Sequence, residues 1–454
     1  MNAATRRARM SGVDTAWLRM ERPTNPMMIT GVLVLKARLD PARLKRLLRV
    51  RLLAFERFRQ RPVGDAGDYW WEDDPDFDLE RHVHRVALPR PGGKPELQDL
   101  VSDLASTPLD AGRPMWQLHL VEGYRRTRSA LVLRVHHCYA DGAALMQVLL
   151  ALAAAGPKAP TRGQASAEPP GWLPWLGELT RASTGLFFEL LQHPGKLIGY
   201  AQAGAAAMEE SVRLLAMAPE PRTRLRGKLG LSKRVAWCEP LPLDAVKAVG
   251  RALECTLNDV LLAAAAGALR AYLVAHHDRV QGLEIRVVVP VNLRAAQAAE
   301  PLGNEFGLVF LTLPVGVADP VQRVRAVHAH MQALRHSSQP LFTLGLLDVA
   351  GQSPRLLQEQ LVQLLGSHAT AVMTNVPGPR RRLRLAGVEI EQPMFWVPQA
   401  GDIALGASIL SYAGQVQFGL MADAGTVRDP ERIAAYFAGE IGRLQEAAAW
   451  TGSG

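Results

Sequence analysis

The hydrophobic pattern divides the chain into two halves that mix strands and helices. Residues 29–38 run through β-branched and aliphatic side chains, which predicts a strand. A helix is expected from Pro41 to Arg61, with Pro41 at its start and Pro62 just past its end. Leu44, Leu47, Leu48 and Leu52 fall at helical spacing, and Arg43, Lys45, Arg46 and Arg49 lie opposite. Residues 69–72 and 82–88 read as extended, and 95–106 as helical. The segments Trp116–Val121 and Leu131–His137 alternate about the polar stretch Tyr124–Ser129, a hairpin pattern, and an apolar helix follows from Asp141 to Ala155.

From Gly156 to about Pro170 the composition turns to Pro, Gly, Ser and Ala, as in a linker. Residues 172–216 are amphipathic, rich in Trp and Phe, and broken at Pro194. Two readings stay open for them: an interfacial membrane segment, or a crossover packed between domains. A basic loop, Pro219–Lys233, closes the stretch. The second half restarts with a strand at 235–243 and helices at 243–253 and 258–276. Residues 285–294 and 308–315 are continuous apolar runs, the mark of strands buried on both faces. Strands are expected near 370–376, 383–390, 403–411 and 414–421, and a final helix from Pro430 to Ala449. The fold class that follows is α/β, with an N-terminal lobe at 1–155, a crossover at 156–232 and a C-terminal lobe at 233–454.

Composition narrows the setting. A chain of 454 residues that is 48% hydrophobic and 21% charged is globular and long enough for two cores. Cys138, Cys238 and Cys255 are scattered, so neither a disulfide framework nor a zinc site is expected, and a reducing cytoplasm fits. The N-terminus lacks the apolar run of a signal peptide, and no uninterrupted apolar stretch has spanning length. The net charge of +9 favours anionic partners such as phosphate-bearing cofactors or acidic lipid, although Arg-rich chains are often basic without such a role. With no nucleic-acid motif and no aromatics interleaved with the basic runs, nucleic acid is not an expected partner.

The candidate chemistry sits at His136-His137-Cys138-Tyr139-Ala140-Asp141-Gly142. Strand alternation puts His137 on one face with Leu131, Leu133 and Val135, and His136 on the other with Val132 and Arg134. On an apolar face the neutral imidazole is favoured, and a neutral imidazole is a competent general base. Asp141 is placed to cap the next helix and hold the turn that aims His137, and Gly142 removes a side chain where backbone or substrate approaches. On periodicity alone the plain structural reading, two histidines ending a core strand before a capped helix, is favoured, because His pairs occur by chance. Cys138 is expected to point away from His137, and no Gly-x-Ser-x-Gly elbow supplies a serine nucleophile. A second pair, His276-His277 before Asp278, reads as a helix end without chemistry.

The motif HHxxxDG resembles the signature of acyltransferases that use coenzyme A or carrier-protein thioesters. The rest of the chain is similar to one branch, the bacterial wax ester synthase/acyl-CoA:diacylglycerol acyltransferase family. The resemblance rests on the block from Ser11 through Asp14 to Trp17, and on Pro26-Met27. It continues through Pro108-Leu109-Asp110 and Pro114-Met115-Trp116, where the family's usual Leu is Met, and through Asn258-Asp259. Pro290–Arg294, Gly303-Asn304 and Thr374–Pro379 complete it, and roughly 156–220 has no evident match.

The resemblance implies two chloramphenicol-acetyltransferase-like lobes with an active-site tunnel between them. It implies acyl-CoA as co-substrate, no tightly bound cofactor and no metal. The acceptor would be a fatty alcohol or diacylglycerol. His137 would be the base, with His136 supporting it. Asp141 would be structural and paired with an Arg, for which Arg294 is the candidate. Thr374, Asn375, Asn258 and Asp259 are candidate substrate-binding residues, the first two as hydrogen-bond donors near the thioester, while the last two also read as a helix cap. Peripheral association with a membrane or lipid inclusion is expected. Other acceptors within the superfamily, and a non-catalytic lipid-surface protein, are the competing readings.

Overall fold

A computed structural model describes residues 7–65, 67–153, 217–293, 302–334, 339–399 and 401–451. The expected mixed α/β architecture is present, built on two large sheets. The first has the strand order Arg384–Leu385, Val388–Trp396, Met28–Leu35, Arg128–His136, Trp116–Tyr124, Val83–Ala87. Its neighbours are antiparallel except for the outermost pair, Val83–Ala87 with Trp116–Tyr124. Met28–Leu35 is buried along its whole length because both faces of this sheet carry apolar cores. A small antiparallel sheet orders Arg7–Arg9, Asp68–Asp73 and Gln60–Asp65.

The second large sheet runs Phe306–Leu313, Ile285–Asn292, Ala371–Pro377, Leu405–Tyr412, Gln415–Asp423, Lys233–Trp237, and Leu241–Pro242 also pairs with Gln415–Asp423. The helices Leu257–Ala275 and Pro430–Thr451 pack together in its core. Leu257–Ala275 is, among the described residues, the one helix long and apolar enough to cross a membrane, yet most of it is buried inside the protein. At its middle, Gly267 faces the buried ion pair Arg323–Glu440, with Nη2 and Oε2 2.5 Å apart. A Cβ on Gly267 would lie 2.4 Å from the Glu440 carboxyl carbon, so this position accepts no side chain.

Two expectations need correction. The helix begun at Pro41 keeps α geometry only to Leu47; a π turn, Leu48–Leu52, and a 3-10 turn, Glu56–Arg59, follow. Residues 60–65 are then a strand, and Pro62 is tolerated there because that strand is an edge of its sheet. The single strand expected at 383–390 is broken by the turn Ala386-Gly387, where both residues have positive φ, and the longer piece is Val388–Trp396. That strand pairs with Met28–Leu35, so a segment from the second half of the chain completes the first sheet. The linker stretch 156–216, including the amphipathic segment, lies outside the described residues.

Candidate active site

The hairpin Trp116–Tyr124/Arg128–His136 carries the histidine pair to the end of a central strand. Alternation holds along that strand: Leu131 and Val135 enter one core and Val132 the other. His137 is not in the strand; it opens the turn that follows. Its N–H donates to the Met27 carbonyl at 2.7 Å. Its ring stacks on Trp17, with centroids 4.0 Å apart and planes 17° apart, and a tilted Phe306 ring lies at 5.6 Å. Only 3% of the residue is exposed, so the imidazole is almost wholly enclosed.

Burial pushes the His137 imidazole down to about 4, and His136 adds to this; the Asp141 carboxylate, the residue's own carbonyl and Asn304 pull the other way. The ring is therefore neutral at pH 7. His136 is separate in environment: its Nδ1 accepts from the Cys138 N–H at 3.2 Å, and its Nε2 lies 3.3 Å from the Glu21 carboxylate. Cys138 is buried, its Sγ 3.0 Å from His136 Nδ1, and burial pushes its thiol well up, which opposes thiolate formation.

Asp141 is a scaffold in this geometry. One oxygen accepts from the Ala144 N–H at 2.8 Å, at the start of the helix Gly142–Ala153. The other accepts from the Glu305 N–H at 3.1 Å, and the Asp141 N–H donates to the Gly303 carbonyl at 3.1 Å. Gly303 has φ of 115°, a conformation open to glycine, and this lets the segment 302–306 turn against the motif. The expected Arg partner, Arg294, lies outside the described residues. Gly142 is not demanded by crowding, because a Cβ there would meet nothing within 4 Å.

The other candidates gather on the second sheet. Asn375, in the strand Ala371–Pro377, donates through Nδ2 to Asn258 Oδ1 at 2.6 Å, and Thr374 beside it is buried. The helix cap is Thr256 rather than Asn258; Asp259 closes a capping box with it. The remaining reach of Asp259 goes to His328 Nδ1 at 2.7 Å, so this buried carboxylate faces a cap and a histidine instead of an open substrate position.

Residues from elsewhere reach His137 to which sequence reading assigned no role in the site, although Asp14, Trp17 and Asn304 fall in its blocks of family resemblance. Trp17 comes from the first helix, Gly12–Met20, Asn304 and Phe306 from the second half, and Asp14 is one contact removed, through Asn304. Asn304 Nδ2 lies 2.8 Å from both Asp14 Oδ1 and the His137 carbonyl oxygen. The Asp14–Trp17 spacing of three, one helix face, was the available signal for that pair.

A family model described as the wax ester synthase/diacylglycerol acyltransferase catalytic domain matches residues 10–261, more than half of the chain. The chain belongs to the wax ester synthase/diacylglycerol acyltransferase family. The C-terminal domain of that family matches residues 302–445. The chain is 32% identical over 402 residues to the probable diacylglycerol O-acyltransferase tgs1 of Mycobacterium tuberculosis, covering 86% of this chain and 84% of the relative. It is 30% identical over 406 residues to a putative diacylglycerol O-acyltransferase of Mycobacterium bovis, covering 86% and 87%. In fold it is similar to the wax ester synthase/diacylglycerol acyltransferase of Marinobacter aquaeolei, with a TM-score of 0.70 at 24% identity over 97% of this chain and all of that one. It is also similar to the first condensation domain of the calcium-dependent antibiotic synthetase, with a TM-score of 0.63 at 18% identity over 99% and 97%. This family member is an acyl-CoA-dependent O-acyltransferase, with acyl-CoA as co-substrate.

The depressed His137 value gives a pH prediction. With His137 as the free enzyme's base, the acid limb of kcat/KM is expected near pH 4 rather than 6.5. A limb at 6.5 would show that the ring is solvated. Stability should move in the same window. His137 and His119, both pushed to about 4 by burial, stay neutral in the native state while the unfolded chain takes up their protons from about 6.5 downward. Stability present above about pH 6.5 is therefore lost as the pH falls towards 4. Asp14, raised to about 6 by burial, opposes part of that loss, since it binds its proton earlier in the native state. Melting temperatures recorded between pH 4 and 7 test the balance.

Proposed function

We propose that His137 is the general base for ester formation between acyl-CoA and a fatty alcohol or diacylglycerol. The observation that carries this is a neutral, enclosed imidazole, held in place by contacts from both halves of the chain, at the end of the HHxxxDG strand. His137 takes the hydroxyl proton of the acceptor as its oxygen attacks the thioester carbonyl. The tetrahedral intermediate collapses, the C–S bond breaks, and the CoA thiolate leaves with the proton from the imidazolium. An ester and free CoA thiol result, with no acyl-enzyme. The Asp141 carboxylate nearby favours the transient imidazolium. Thr374 and Asn375 are the proposed donors toward the thioester, with Asn258 orienting the Asn375 amide.

The test is thiol release from palmitoyl-CoA with hexadecanol or a diacylglycerol as acceptor. Release that depends on the acceptor, with the matching ester as product, is the expected result. No release above background with either acceptor would end the reading, and acceptor-independent release would recast the protein as a thioesterase. The net charge of +9 and the apolar substrates support peripheral association with an anionic membrane or lipid-inclusion surface, which salt-sensitive co-sedimentation with anionic liposomes checks.

A further inference from the structure

Several polar atoms at the site are buried and without a hydrogen-bond partner, among them His137 Nδ1 and Asn304 Oδ1, with Trp17 Nε1, His136 Nε2 and Arg57 Nη1 beside them. The first two belong to side chains already joined through the backbone, since Asn304 Nδ2 donates to the His137 carbonyl at 2.8 Å. The same amide nitrogen donates to Asp14 Oδ1 at 2.8 Å. Asp14 is buried, and on its other side the Arg57 guanidinium lies 3.7 Å from Oδ2 and packs over the Trp71 ring at 4.0 Å. Both hydrogens of the Asn304 amide are thus committed, and only its oxygen is left to face the ring. Trp17, one turn along from Asp14 on the same helix, covers the face of the imidazole.

We propose that Asn304 and Asp14, from opposite halves of the chain, form a clasp that positions the His137 imidazole and sets its tautomer. The inference rests on the reading of His137 as base. The residue's own carbonyl and the Asn304 side chain both favour the protonated ring, and Nδ1 is a ring nitrogen buried without a hydrogen-bond partner, as is the Asn304 Oδ1. With its two hydrogens tied to Asp14 and to the His137 carbonyl, Asn304 can offer the ring only an acceptor. Nδ1 therefore carries the hydrogen, and Nε2 keeps the lone pair that receives the acceptor's proton. Asp14 acts one step back, fixing which way the amide points. Protonating Asp14 leaves it a carbonyl oxygen that can still accept from Nδ2, so the clasp does not depend on its charge. Asn304 and Asp14 are positioning residues; neither is assigned contact with substrate.

Asn304→Ala is expected to lower kcat roughly 10- to 100-fold with KM for palmitoyl-CoA and for hexadecanol unchanged within about twofold. Asp14→Leu should do the same, and Asp14→Asn, which retains an acceptor oxygen, should recover most of the rate. The readout that a merely structural role would not move is the tautomer. In ¹⁵N-histidine spectra of the folded wild-type protein, His137 is expected as Nδ1–H, and in Asn304→Ala as a mixture of tautomers. Assignment uses His137→Gln, whose loss of activity tests the base separately. The clasp is refuted if Asn304→Ala keeps wild-type kcat while His137→Gln is inactive, or if the wild-type proton sits on Nε2. A variant that melts early is judged by its spectrum below the melting temperature, where an unchanged tautomer refutes the proposal equally.

Discussion

His137→Ala is expected to reduce acceptor-dependent thiol release by about 10³-fold, within the range that a positioned general base contributes. The protein should still fold, because the ring makes one stack and no structural ion pair among the described contacts. Losing a buried titratable group also removes a source of acid instability. The informative comparison is His136→Ala. That ring lies between the Cys138 N–H and Glu21, whose carboxylate also accepts from the Met27 N–H at 2.5 Å. Its loss should lower the melting temperature while kcat changes by less than about tenfold. A His137→Ala enzyme at full rate would falsify the base assignment. Equal losses in both variants would show that the pair acts as one structural unit.

The largest stability effect is expected at Glu440. The Arg323 side chain is 2% exposed and is held by Glu440 and by the carbonyls of Val317 at 2.7 Å, Ala263 at 3.2 Å and Ala318 at 3.3 Å. Those carbonyls satisfy hydrogen bonds but carry no net charge. Glu440→Ala therefore leaves a guanidinium buried and uncompensated, a cost of about 3–5 kcal/mol. Arg443, the other partner of Glu440, is exposed and loses little. Replacing both members, as in Arg323→Met with Glu440→Leu, should recover much of the loss because no charge is left behind. Denaturant unfolding of the two variants decides it. If Glu440→Ala matched wild type, the pair would not be carrying opposite charges in the core.

Local pattern carried much of this fold. The hairpin before the motif, the helices at 243–253 and 258–276 and the continuous strands were legible because each depends on residues close in sequence. The same holds for the separation of His136 from His137. What escaped was non-local. Nothing near Val388–Trp396, which carries Glu389, Glu391 and Gln392 beside its apolar residues, marks it as a partner of Met28–Leu35, because the two are far apart in sequence. Asn304 reads as a polar residue after a glycine; its role appears only when the fold brings Asp14 and the His137 carbonyl to the same amide. For Asp259 the helix-cap reading holds, through the box it closes with Thr256, while its contact with His328 lies in a helix that the local pattern did not single out.

The strand Val388–Trp396 also sets a schedule for synthesis. Met28–Leu35 emerges early, but its partner on one edge is translated roughly 350 residues later. At about 5–20 residues per second the ribosome takes on the order of 20 to 70 s to deliver it. During that interval the first sheet has a mostly apolar open edge, a template for pairing with other nascent chains. Heterologous yield should therefore respond to chaperone supply and to translation speed between these strands. A fragment that stops before Val388 carries that open edge permanently.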